Sequence, residues 1–215
     1  MYDLIMLDLD GTLTYPEEGI TKSVQYALSY FGIVENDIDA LRRFIGPPLV
    51  DAFMGYYGMS REDALLAVEK YRERFRDKGI YENKLIDGID VMLRHLKNCG
   101  KILALATSKP QIFAEKILKY YDIHKYFDII VGAEFDGTRN DKADVIAEVL
   151  KRCPDFKSPV MVGDRKHDCI GAIKNNVPCI GVSYGYAENG ELLENGVSVI
   201  VDSVIELEKI LISKQ

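Results

Sequence analysis

The sequence predicts an α/β fold: a parallel sheet covered by helices on both faces, with a helical insert directly after the first strand. Three observations carry that expectation. From about residue 100 onward, short apolar runs ("KILALATS", "FDIIVGAE", "PVMVGD", "PCIGVS" and "VSVIVD") alternate with helical patterns. Strands that read as continuous apolar runs, each followed by a helix, belong to parallel sheets buried on both faces. The run Leu4, Ile5, Met6, Leu7 has the same texture and adds a first strand over residues 3–8. Residues 15–82 instead place their apolar side chains at helical spacing.

Taken in chain order, "MLDLDGTLTY" ends the first strand, because Gly11 and Thr12 read as a break in it. "EEGITKSVQYALSYFGI" then sets Ile20, Val24, Ala27, Leu28 and Phe31 at the period of a helix. In "FIGPPL", Gly46, Pro47 and Pro48 cannot continue a helix and mark a bend. "SREDALLAVEKYRERFRDKG" starts on a capping residue, Ser60, and ends at Gly79, with Tyr71 and Phe75 on its apolar side. The expected division is a core of residues 1–14 and 83–215 and a helical insert of residues 15–82.

At 215 residues, 47% of them hydrophobic, the chain suits one large domain or one domain carrying a smaller insert. Its net charge of −7 argues against a nucleic-acid surface but leaves room for a small anionic ligand, which needs only a few local cations. No apolar run approaches the roughly 20 residues of a membrane span, and Asp3 interrupts any secretory leader, so a cytoplasmic location is expected. The four cysteines form no CxxC pair and suggest neither a zinc site nor a disulfide framework.

In open parallel sheets ligands bind beyond the carboxyl ends of the strands. At those ends stand Asp8 and Asp10 after the first strand, Thr107, Ser108 and Lys109 after "ILALA", and Asp164 after "VMVG". An ionised aspartate can attack phosphorus once its repulsion from an anionic phosphate is suppressed, and oxygen-ligated Mg²⁺ does this. Asp8 is the candidate nucleophile, Asp10 the acid and base, and Thr107 a hydroxyl donor to the phosphate, near the free N–H groups of a helix starting by Pro110. Lys142, at the start of "KADVIAEVLKR", is the candidate for balancing phosphate charge, with Lys109 as the alternative. Asp164 and, one helical turn later, Asp168 join Asp8 and Asp10 as candidate metal ligands. Gly11, Thr12, Ser108, Lys109 and Arg139 are the candidates for holding substrate, while Arg42 and Arg43 in the insert are read as a solvated face.

"DLDGT", "ATSKP", a lysine before "ADVIAEVL", and "VGDRKHD" occur in the order and spacing of the haloacid dehalogenase-like hydrolase superfamily, which the chain resembles over essentially its whole length. The resemblance implies a Rossmann-like core with a small α-helical cap, an aspartyl-phosphate mechanism and Mg²⁺. An acid at Asp10 looks like the phosphatase and phosphomutase branch. The phosphoglycolate phosphatase-like and 5′-nucleotidase-like subgroup is the most similar, and "FDGTRNDKADVI", "GDRKHD" and "GVSYGYAENGEL" look closer to its nucleotidase-like members. The implied function is a Mg²⁺-dependent phosphomonoesterase acting on a small phosphorylated metabolite. The competing expectations are a phosphomutase of the β-phosphoglucomutase type and a phospho-accepting regulatory module without turnover.

Overall fold

The computed structural model describes residues 2–135, 139 and 141–213. Asp136, Gly137, Thr138 and Asn140, part of "FDGTRNDKADVI", lie outside the described residues. The chain divides into two compact units, one of Met1–Tyr15 with Leu85–Gln215 and the other of Pro16–Lys84.

The first unit opens with β1 (Leu4–Leu7), whose four side chains are all fully buried. A two-residue strand, β2 (Thr14–Tyr15), comes next. The Pro16–Lys84 unit then supplies α1 (Glu17–Tyr30), α2 (Ile38–Arg42), α3 (Leu49–Tyr57), α4 (Arg61–Arg74) and a wider π-type turn over Phe75–Gly79. Ile20, Val24, Ala27 and Leu28 are the buried face of α1, as their spacing requires. Pro48 stands at the start of α3, where its missing N–H costs nothing, and the Ser60 hydroxyl caps α4 by accepting the Asp63 N–H. Tyr71 and Phe75 stack at 5.2 Å inside this unit and are core.

After β3 (Lys84–Leu85), the first unit continues through α5 (Ile89–Asn98), β4 (Ile102–Pro110), α6 (Gln111–Tyr120), β5 (Ile129–Ala133) and α7 (Lys142–Arg152). It finishes with β6 (Pro159–Gly163), α8 (Lys166–Lys174), β7 (Cys179–Val182), α9 (Glu191–Glu194), β8 (Val199–Val201) and α10 (Val204–Ile212). Six strands form one sheet in the order β5-β4-β1-β6-β7-β8. Every pairing is parallel, with Leu4 of β1 opposite Ile102 on one side and Pro159 on the other. The α/β expectation is therefore met, with the helices between strands supplying the crossovers that parallel pairing demands.

Because side chains alternate across a strand, Leu4 and Met6 share one face of the sheet, where they join Ala104, Val145, Val149, Met161 and Cys169 in one buried cluster. Burying each such side chain is worth roughly 1.5–3 kcal/mol. The central strand is thereby paired on both edges and buried on both faces, and the Asp8 N–H continues its ladder to the Val162 carbonyl. β4 runs further than its apolar run implies: its pairing with β5 is irregular after Ala106 and resumes at Pro110 opposite Ala133, so Thr107, Ser108 and Lys109 lie in extended chain. No helix among the described residues is long and apolar enough to cross a membrane.

Candidate active site

β4, β1 and β6 are neighbours, and their carboxyl ends bring together residues far apart in sequence. Asp8 comes directly after β1 and extends its ladder by donating its N–H to the Val162 carbonyl at 3.0 Å. Asp164 comes directly after β6, and Asp168 sits in the first turn of α8. Lys142 is the first residue of α7, set there by Asp141, whose side chain accepts the Ala143 N–H.

Lys142 is the hub. Its Nζ lies 2.8 Å from Asp8 Oδ1 and 2.7 Å from Asp168 Oδ1, and it donates to the Ala106 carbonyl at 3.0 Å. Asp8, Asp164 and Asp168 are all buried, and each offers a carboxylate oxygen within 4.8 Å of the others'. Burial raises the Asp164 pKa far above the usual carboxylate range, and the neighbouring charges of Asp168 and Asp8 add to it. Asp168 is also pushed up by burial, against the pull of Lys142. Lys142 moves up instead: burial opposes its charge, but Asp168 and Asp8 outweigh it. Ionising all three would set three carboxylates against one ammonium in a buried place, a charge excess that burial resists by raising Asp164 and Asp168 and that a further cation would relieve. Asp164 Oδ1 is buried and accepts no hydrogen bond from the described residues. An all-carboxylate oxygen set with an unsatisfied lone-pair site suits a hard divalent cation, so the trio can hold a metal ion.

Asp10 is not one of the three. Its Oδ2 lies 2.5 Å from Lys109 Nζ, both side chains being largely buried, so the two lysines of the expectation divide their work. Lys142 serves Asp8 and Asp168, and Lys109 serves Asp10. Burial raises the Asp10 pKa despite the attraction of Lys109. Thr107 is buried and its Oγ1 accepts the Lys109 N–H at 3.3 Å, with part-buried Ser108 between them. It does not cap α6, which begins after Pro110 and has no side-chain cap bond.

Gly11 answers for its own position twice. Its φ is +84°, a conformation that side chains strain to adopt, and a Cβ there would lie 2.0 Å from Asp164 Oδ2. Thr12 is fully buried, and its Oγ1 makes no hydrogen bond among the described residues. Arg139 pairs with Glu134 and donates to the Gly132 carbonyl.

Sequence reasoning left residues 183–191 without roles, and the structure brings them to the same edge. The Tyr186 N–H donates to Asp164 Oδ2 at 2.8 Å, and a Cβ on Gly185 would stand 2.3 Å from Asp164 Cβ. Glu191 pairs with Arg165, Nε to Oε1 at 2.9 Å. The signal for them was present, since "SYGYAENGEL" comes after a strand of the same sheet, at the same end as the acids.

A model of the family described as haloacid dehalogenase-like hydrolase matches residues 5–182. A curated Pseudomonas aeruginosa protein named 5′-nucleotidase is 46% identical over 198 residues, which cover 89% of this chain and 87% of that protein. A Mycobacterium tuberculosis protein named tyrosine-protein kinase PtkA is 36% identical over 200 residues, covering 92% of this chain and 67% of that one. Among solved structures, a phosphatase from Clostridium acetobutylicum, described as predicted, superposes with a TM-score of 0.94 at 46% identity, covering 98% of both chains.

Proposed function

The chain belongs to the haloacid dehalogenase-like hydrolase family and is a phosphatase, and from that premise we propose that it hydrolyses 5′-nucleotide-type phosphate monoesters through an aspartyl phosphate on Asp8. One observation carries the mechanism: Asp8, at the end of the central strand, is in ion contact with buried Lys142, in a trio with Asp164 and Asp168, while Asp10 is held separately by Lys109. The substrate class rests on the 46% identity to the protein named 5′-nucleotidase.

A carboxylate oxygen of Asp8 attacks phosphorus, and the bond from phosphorus to the ester oxygen breaks as protonated Asp10 passes its proton to that oxygen. The raised pKa of Asp10 favours the acid form this step needs. Asp10, now a carboxylate, then takes a proton from water. The water oxygen bonds to phosphorus, the bond between Asp8 and phosphorus breaks, and inorganic phosphate leaves with Asp8 restored. Lys142 orients Asp8 and offsets phosphate charge, and the Thr107 and Ser108 hydroxyls and the turn at Gly11 and Thr12 receive the phosphate oxygens. Asp8, Asp164 and Asp168 would hold Mg²⁺, which when bound supplies the positive charge that lets an anionic ester approach Asp8.

The test is phosphate release from 5′-nucleotides, phosphoglycolate, sugar phosphates and phosphotyrosine, with Mg²⁺ and with EDTA. Release is expected to be fastest from nucleotides, to need the metal, and to fall by about 10⁴-fold or more in Asp8→Asn, the scale of losing a nucleophile. Turnover retained by Asp8→Asn removes the nucleophile assignment. A preference for any other ester removes the substrate class.

A further inference from the structure

We propose that Glu191 is a positioning residue for the acidic loop of the active site, setting the affinity of that site for a divalent cation. The inference rests on the reading of Asp8, Asp164 and Asp168 as the cation's ligands. Of those three, Asp164 opens the short connection from β6 to α8 and Asp168 lies in the first turn of α8, just beyond it. Their geometry is therefore decided by whatever fixes that connection.

Nothing local fixes it completely. The residue before α8 is Arg165, whose side chain has no acceptor oxygen, so it cannot satisfy the free N–H groups at the start of the helix in the way Ser60 does for α4. Glu191 supplies the acceptor from 25 residues away. Its Oε1 accepts the Lys166 N–H at 2.7 Å and Arg165 Nε at 2.9 Å, while its Oε2 accepts the Glu188 N–H at 3.2 Å and Arg165 Nη2 at 3.4 Å. The Arg165 N–H in turn donates to Asp168 Oδ2 at 3.1 Å. One buried carboxylate thus holds the backbone and side chain that present Asp168. The same chain segment reaches the other end of the loop, where the Tyr186 N–H holds Asp164.

Stability alone does not account for the arrangement. Glu191 and Arg165 are both mostly buried, and ion pairs so removed from water contribute little net stability over apolar replacements. What they add is orientation: outer hydrogen bonds of this kind fix ligating groups and commonly change metal affinity by about 10- to 100-fold when removed.

The experiment is calorimetric titration of Mn²⁺, used as the probe cation, into wild-type protein, Glu191→Ala, Glu191→Gln and Asp164→Asn, with thermal unfolding of each. Glu191→Ala is expected to bind Mn²⁺ about 10- to 100-fold more weakly. Glu191→Gln keeps an oxygen for the Lys166 N–H, loses the charge facing Arg165, and is expected to show a smaller, severalfold loss. A merely structural role would lower the unfolding temperature and leave Mn²⁺ affinity where it was, and that result in a folded variant overturns the proposal. Should Glu191→Ala not fold, Glu191→Gln decides by the same criterion. Wild-type protein that binds no Mn²⁺, or Asp164→Asn that binds it undiminished, overturns the metal reading and the proposal with it. Binding lost in Asp164→Asn but kept in both Glu191 variants overturns the proposal alone.

Discussion

In the sheet-bearing unit the Lys142 side chain is 3% exposed and lies within 2.8 Å of two carboxylates, whereas in the Pro16–Lys84 unit the Arg42 side chain is 48% exposed and holds Glu17 and Asp39 at the surface. Both are cations with two acidic partners, yet the physics differs. The surface network is screened and worth roughly 0–1 kcal/mol for each pair. The buried one gathers more carboxyl groups than its lysine could balance if all ionised, which a fold selected for stability alone has no reason to do. Arg42 and its partners therefore stand where water tolerates their charge, and the sheet-bearing unit concentrates carboxyl groups where a charged ligand can use them.

The largest effect should come from emptying the hub. Lys142→Met leaves Asp8 and Asp168 buried without their counter-ion, which is expected to destabilise the protein by about 3–5 kcal/mol in urea unfolding monitored by circular dichroism. Phosphatase activity should vanish with it. A variant as stable as wild type would erase the contrast drawn between the two units.

A smaller effect tests how tightly the acids are seated. Gly11→Ala places a methyl 2.0 Å from Asp164 Oδ2 on backbone with φ +84°, a strain of about 1–3 kcal/mol. Activity should fall further than stability, because the atom displaced belongs to the candidate metal site. An alanine variant with wild-type kcat/KM would show that Asp164 has room to move.

Much of this was legible in the chain. Apolar runs of the Leu4–Leu7 kind announce strands, and acids placed directly after them point to a candidate site, because a carboxylate beside a buried strand needs a counter-charge or ligand. Ser60 and the prolines at 47 and 48 declare their turns through local chemistry. What stayed hidden depends on distance in space. The pairing of Lys109 with Asp10 joins positions 99 residues apart, and no periodicity encodes it. Nor does one encode the reach of Glu191 to Arg165 and Lys166. The pairing of Arg139 with Glu134 likewise shows only in the geometry.

Within the helical unit the effects should be modest. Ser60→Ala removes the acceptor for the Asp63 N–H at the start of α4 and is expected to cost about 1 kcal/mol in urea unfolding, with kcat unchanged. A change of several kcal/mol would mean that this unit, too, leans on a single polar contact.

The smallest effect is also the one with a pH signature. Arg74 grips both oxygens of Glu82, at 2.7 and 2.9 Å, and this pairing, against a modest cost of burial, holds the Glu82 pKa below the usual carboxylate range. A carboxylate whose folded pKa is depressed contributes stability that is fully present above its unfolded value and is lost as pH falls through the folded one. Glu82→Gln should therefore be less stable than wild type at pH 7, by about 0.5–1 kcal/mol for a paired but partly exposed site. The difference should shrink as pH drops below about 4.3, the ordinary value for glutamate. Measuring both proteins in urea between pH 7 and pH 3 reads this directly, and a gap that stays constant over that range would assign the loss to packing instead of charge.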